Sequence, residues 1–115
     1  MVTLRPKVSV VCVTYNQEKY IAQTLDSFVA QRTNFKYEVV VADDCSTDST
    51  ARIISKYAER YPDVIRPVLR KKNIGIQKNF AETFREAKGD YLAVCEGDDY
   101  WTDALKLQRQ ADFLD

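Results

Sequence analysis

Histidine is missing from this chain, which removes the Ser-His-Asp and Cys-His nucleophile sets from the chemistry open to it. Glycine and proline are scarce at three residues each, and neither a GxGxxG nor a GxxxxGK(S/T) segment occurs, so both common phosphate-cradling loops are excluded. The three cysteines, Cys12, Cys45 and Cys95, show no CxxC spacing and no even-numbered disulfide framework. Cys12 and Cys95 lie inside apolar runs and read as small core residues, which argues against a zinc site. Net charge is absent too: 17 basic residues cancel 17 acidic ones, so the electrostatic footprint of a nucleic-acid-binding protein is lacking. No apolar stretch approaches the roughly 18 to 20 residues of a membrane span, and the first residues lack the charged-then-apolar pattern of a signal peptide. The chain reads as cytosolic, with the inner face of the membrane as the other location open to the intact protein.

What remains is an ordinary globular composition, 45% hydrophobic and 30% charged, with enough aromatic residues to argue against disorder. One domain, residues 1–115, fits this length; a second does not. The run from Lys7 to Val13 is nearly continuous in apolar, β-branched residues, as in a strand buried on both faces of a parallel sheet. Thr14-Tyr15-Asn16 breaks it, and Ile21, Leu25, Phe28 and Val29 then recur at helical spacing between Glu18 and Ala30, with Asn16 placed to help start the helix. Tyr37 to Ala42 repeats the buried-strand pattern. A loop of cap-forming residues follows, in which Ser46, Thr47 or Asp48 caps a helix carrying Ile53, Ile54, Tyr57, Ala58 and Tyr61.

Val64 to Leu69 makes a third strand, placed at an edge or made irregular by Pro67. Asn73-Ile74-Gly75 turns the chain into a third helix from Ile76 to Ala87, spaced by Phe80, Phe84 and Ala87, with Gly89 as its C-terminal cap. Tyr91 to Cys95 is the fourth strand, and Asp103 caps a last helix containing Leu105, Ala111 and Leu114. The alternation predicts an α/β fold, a doubly wound, mostly parallel sheet with helices on both faces.

Two acidic clusters sit where such sheets bind ligands, at the ends of strands: Asp43-Asp44 after Val39-Val40-Val41-Ala42, and Glu96-Gly97-Asp98-Asp99 after Tyr91-Leu92-Ala93-Val94-Cys95. Four or five carboxylates gathered at one rim repel one another unless a cation compensates them, which points to a divalent metal carrying a phosphate group. The pattern reads as a nucleotide-sugar site. Asp98 and Asp99 are the metal candidates, because an ion held by a carboxylate pair can bridge diphosphate oxygens. A solvated turn is the competing reading for this loop. Against it stand Tyr100-Trp101, large aromatics suited to packing the loop onto the domain.

Asp44 can accept an N–H from a uracil-like base and Tyr15 can offer a stacking face, while helix capping and plain core are their respective alternatives. Lys78 and Asn79 open the third helix, where a basic side chain reaches toward a diphosphate. Arg70, Lys71 and Lys72 are alternatives for that role, although the run also reads as a solvated loop end.

Taken in order, Val8 to Asn16, Glu38 to Thr50, Asn73-Ile74-Gly75, Gly89-Asp90-Tyr91 and Glu96 to Trp101 resemble the N-terminal half of family 2 glycosyltransferases of the GT-A fold. The resemblance covers nearly the whole chain. It implies inverting transfer of a sugar from a nucleoside-diphosphate donor, commonly a uridine one, to a saccharide or other hydroxyl acceptor, with Mg²⁺ or Mn²⁺ on the diphosphate. Carried over by position, Thr14 and Tyr15 contact the base, Asp44 accepts from its N3–H, and the acidic loop holds ribose and metal; Asn16 and Lys78 complete the nucleotide-binding candidates. The metal loop of the family often begins with Asp, and Glu96 occupies that place here. Asp98 and Asp99 are therefore favoured as metal ligands, with Glu96 left for ribose or a supporting position.

In the family the general base and most of the acceptor site lie C-terminal to the metal loop. The chain is accordingly expected to be a truncated, donor-binding half, with uncovered apolar surface that promotes self-association. A receiver-like Mg²⁺-binding signalling domain is the rival from another class, but it requires acidic residues where Thr14-Tyr15-Asn16 stand. A non-catalytic nucleotide-binding module is the second rival. The commonest use of bacterial relatives is polysaccharide biosynthesis.

Overall fold

The structure, a computed structural model, describes residues 5–115. Strands and helices alternate: β1 (Val8–Thr14), α1 (Ile21–Val29), β2 (Tyr37–Asp43), α2 (Thr50–Arg60), β3 (Ile65–Leu69), α3 (Ile76–Glu86), β4 (Tyr91–Glu96) and α4 (Lys106–Leu114). The strands form one parallel sheet in the order β3-β2-β1-β4. The chain steps outward from β1 to β3 and then returns across the sheet to β4. Right-handed crossovers therefore put α1 and α2 on one face and α3 on the other. The expected doubly wound α/β sheet is present.

Every residue of β1 and β2 is buried, because helices cover both faces of these two central strands. Val8, Val10 and Cys12 of β1 and Val39 and Val41 of β2 join Ile21, Leu25 and Phe28 of α1, Ile54 of α2, and Leu107 and Ala111 of α4 in one core. Truncating a fully buried aromatic such as Phe28 in such a core costs about 3 to 5 kcal/mol.

The α3 face is built differently. The buried residues of α3 are Asn79 and Thr83, not the predicted Phe80 and Phe84; Phe84 is exposed and stacks on Phe80 with ring centroids 5.9 Å apart. Asn79 Nδ2 donates to the Ala42 carbonyl of β2 at 3.0 Å, and Arg70 Nε donates to Asn79 Oδ1 at 2.7 Å. Arg70 is thus docked on α3, also bridging Glu82 at 3.3 Å, instead of standing as part of a solvated loop end. Polar satisfaction has taken the inward positions of this helix and turned its apolar side outward. Leu92 and Val94 of β4 lie on the same face of the sheet and are also exposed.

Other local expectations change. Helix α1 begins at Ile21, later than Glu18, and Asn16 does not cap it: Tyr20 occupies the cap position, and the Gln17 carbonyl receives the Tyr20 and Ile21 N–H groups. Gly89 is no left-handed cap. A Cβ there would stand 2.6 Å from the Ser9 nitrogen and 2.7 Å from the Val8 carbonyl carbon, so close approach of β1 demands glycine. Asp103 Oδ1 receives the Leu105 N–H at 2.9 Å, one turn ahead of α4; Leu105 and Leu114 are exposed, and Leu107 carries the packing. Asp48 does assist the start of α2, accepting the Thr50 N–H at 2.9 Å.

The sheet's two edges differ. At β3, Val64 and Arg70 bond to β2, so the missing N–H of Pro67 falls on the open side, as an edge strand tolerates. At β4, Tyr91 and Gly97 donate to β1, leaving the backbone groups of Leu92 and Val94 directed to an edge that pairs with no other strand among the described residues.

Candidate functional site

Between β1 and β4 the chain's direction of winding reverses, and in open α/β sheets ligands bind above the carboxyl ends of the strands at that switch. A cavity of about 360 Å³ lies there. Its walls include Val13 and Thr14 from the end of β1, Tyr15 and Gln17 from the following loop, Asp44 after β2, Gly75 and Asn79 at the start of α3, and Glu96 at the end of β4.

The first acidic pair is already spoken for. Asp43 is buried, and its carboxylate receives the Thr14 hydroxyl at 2.7 Å, the Ser46 N–H at 2.9 Å and the Ser46 hydroxyl at 2.6 Å. Asp44 is 3% exposed; its two oxygens receive the Ile74 N–H at 2.8 Å and the Gly75 N–H at 2.9 Å. That forked contact, with Asn73 Nδ2 on the Asp44 carbonyl at 3.1 Å, holds the turn into α3, where Gly75 adopts φ +89°. A carboxylate has about four acceptor sites, so Asp44 keeps capacity toward the cavity.

Asn16 takes φ +51° and crosslinks two loops, its Oδ1 receiving the Thr47 N–H at 2.8 Å while its own N–H donates to Ser46 Oγ at 2.8 Å. It lies outside the cavity wall. The Thr14 hydroxyl is committed to Asp43, leaving backbone and methyl to face the cavity. Tyr15 is 47% exposed beside the cavity, which rules out the plain-core reading. Lys78 is exposed on the first turn of α3 and does not line the cavity, whereas its neighbour Asn79 does.

The second cluster is open. Glu96, Asp98 and Asp99 are all exposed; among the described residues the Glu96 and Asp98 carboxylates receive no hydrogen bond, and Asp99 Oδ1 accepts only the adjacent Tyr100 N–H at 2.8 Å. The loop backbone is nonetheless fixed. The Thr24 hydroxyl of α1 reaches the Gly97 carbonyl at 3.1 Å and the Asp99 carbonyl, and Trp101 packs on Phe28 with ring centroids 4.8 Å apart. Trp101 thus plays the expected packing part; Tyr100 is exposed. Beneath the loop, burial pushes the Cys95 thiol up to about 11 and the Cys12 thiol well above its ordinary range, in keeping with inert core cysteines.

Asp43 and Asp44 do not join Glu96, Asp98 and Asp99 in a common metal cluster, and no group of three or more metal-ligating side chains forms among the described residues. The gathered-rim expectation is corrected accordingly: charge at the first strand end is neutralised by donors from its own loops. What the second cluster offers is the donor set that suits Mg²⁺ or Mn²⁺ shared with a diphosphate, one or two carboxylates with the remaining positions left to phosphate oxygens and water. Thr24, Gln17 and Asn79 were not marked by any motif for the positions they hold here; each is a neutral polar residue at a helix or loop position indistinguishable from a surface one.

A sequence model of Glycosyl transferase family 2 matches residues 9–115. An uncharacterized protein of Mycobacterium tuberculosis is 58% identical over 107 residues, 93% of this chain and 31% of its own length. The structure of Staphylococcus aureus TarS 1-349 in complex with UDP superposes with a TM-score of 0.81 at 34% identity, covering 94% of this chain and 32% of that one. A mannosyltransferase from Pyrobaculum calidifontis in complex with GDP-Man and Mn²⁺ superposes with a TM-score of 0.84 at 30% identity, covering 96% and 32%. The chain spans about a third of the length of these relatives.

Proposed function

Because the chain belongs to glycosyltransferase family 2 and has its GT-A fold, we propose that it holds the nucleoside-diphosphate sugar donor, a UDP-sugar in preference, for transfer to a saccharide or other hydroxyl acceptor. The observation that carries this reading is the cavity at the β1/β4 switch, lined by Glu96 of the exposed acidic loop, whose carboxylate forms no ion pair among the described residues. The UDP-bound neighbour supports the uridine assignment, and the GDP-Man and Mn²⁺ neighbour supports a divalent metal.

Tyr15 gives the base a ring to stack on and the spare lone pairs of Asp44 accept its N–H, with Thr14 shaping the floor and Asn16 holding the two loops together. Glu96 faces the ribose; Asp98 and Asp99 hold Mg²⁺ or Mn²⁺; Lys78 swings toward the diphosphate from the first turn of α3. The metal, when bound, supplies charge neutralisation on the departing diphosphate. The acceptor oxygen displaces that diphosphate with inversion, and no residue of this chain is assigned as the base that takes its proton. We place the protein in the cytoplasm, at or near the inner membrane face, in polysaccharide biosynthesis; no helix among the described residues is long and apolar enough to cross a membrane. The exposed Phe84, Leu92 and Val94 make self-association of this 115-residue chain part of the proposal.

Calorimetric titration with UDP and with GDP, each with and without Mn²⁺, tests the reading in wild type and in an Asp98→Ala, Asp99→Ala double variant. Mn²⁺-dependent UDP binding that the double variant loses is the expected result. Equal binding by both proteins would remove the metal assignment, and a preference for GDP would replace the base.

A further inference from the structure

Gln17 presents an anomaly that the donor site explains. Its backbone is fixed at both polar groups: the N–H donates to Thr50 Oγ1 at 2.8 Å, and the carbonyl receives Tyr20 and Ile21 N–H groups at 3.0 and 2.9 Å. Its side chain lines the cavity, yet Oε1 is buried with no hydrogen-bond partner, a state shared among the described residues only with Arg66 Nε. Buried acceptors without partners are rare because each carries an uncompensated desolvation penalty. Oε1 rests against the Cα of Gly97, in the space a Cβ there would fill, with the carboxamide carbon 3.3 Å from that Cβ position. The first residue of the acidic loop lacking a side chain is what lets the carboxamide lie there.

Leaving this resting position breaks no hydrogen bond of Oε1. No hydrogen bond holds the carboxamide, and its terminal torsion is broad, so rotation turns Oε1 from Gly97 into the cavity. The side of the cavity it enters is defined by β1 and β4, next to Glu96. Asp44, which serves the base in the reading above, lines the cavity from the end of β2, beside Gly75 at the start of α3. A neutral acceptor beside carboxylates can accept a hydrogen bond from a hydroxyl without adding negative charge in front of a diphosphate.

We propose that Gln17 is a further donor-binding residue, whose carboxamide oxygen accepts a ribose hydroxyl of the nucleoside diphosphate; this rests on the donor-site reading. The test is a cycle of two ligands and two proteins: UDP and 2′,3′-dideoxy-UDP, each titrated into wild type and Gln17→Met, with Mn²⁺ present throughout. Methionine keeps the length and removes the acceptor. Wild type should lose about fivefold to tenfold in affinity when the hydroxyls are removed, and the variant should bind UDP about that much more weakly while discriminating the ligands less. Circular dichroism establishes that the variant is folded, and Gln17→Ala repeats the cycle where it is not. Undiminished discrimination in the folded variants overturns the role of Gln17 and leaves the donor site standing. Failure of folded wild type to bind UDP overturns both.

Discussion

Asp43-Asp44 and Glu96-Gly97-Asp98-Asp99 follow buried parallel strands and look interchangeable in the sequence, but the fold puts them in opposite states. The first pair is buried and saturated by N–H and O–H donors from the loops it joins. The second is exposed, with its backbone pinned by Thr24 and its carboxylates largely unengaged. Negative charge at a strand end is therefore no indicator of a ligand by itself. What distinguishes a structural carboxylate from a binding one is whether the chain has already supplied its donors.

The comparison breaks most visibly at Asp43. Asp43→Ala leaves the Thr14 and Ser46 donors without their acceptor in a buried setting, so the unfolding free energy from urea titration should fall by about 3 kcal/mol. The Asp98→Ala, Asp99→Ala variant should sit within about 0.5 kcal/mol of wild type in the same experiment, since it alters exposed side chains. A comparable loss in both would erase the distinction drawn here. Asp44→Asn is intermediate: an amide can accept from only one of Ile74 and Gly75 and sets its own N–H against the other, at a cost of about 1 to 2 kcal/mol.

The smallest effect is one of pH. Asp48, in the loop after the first pair, feels a burial penalty that would raise its pKa, but hydrogen bonds from Thr50 and Glu18 outweigh it and hold the carboxyl below its usual range. A depressed folded pKa means that the stabilisation is present above the unfolded value near 4 and is lost as pH falls through the folded value. Urea midpoints measured from pH 6 to pH 3 should decline less steeply for Asp48→Asn than for wild type. Parallel curves would show that Asp48 adds nothing.

The central strands were legible because Val8 to Val13 and Tyr37 to Ala42 are covered on both faces and so read as unbroken apolar runs. Pro67 correctly marked an edge. Helix α3 was legible as a helix but not in its orientation: periodicity finds a face without saying which way it points, and Asn79 and Thr83 turned inward to meet Ala42 and Arg70. The open acidic loop could be found from its residues. The saturation of Asp44 could not, because Ile74 and Gly75 donate to it through backbone N–H groups from about 30 residues away; at Asp43 only Ser46 is local, and Thr14, 29 residues away, has no motif around it. Gln17 left no trace for the same reason.

The unequal edges of the sheet give the molecule a direction of growth. Proline blocks pairing beside β3, whereas the outer backbone of β4, which ends at Glu96, pairs with no other strand among the described residues. A strand that paired with β4 would therefore run next to the acidic loop, on the β4 side of the cavity. Pairing at that edge and the surroundings of the cavity are thereby linked, so a partner strand held in the wrong register would disturb both at once.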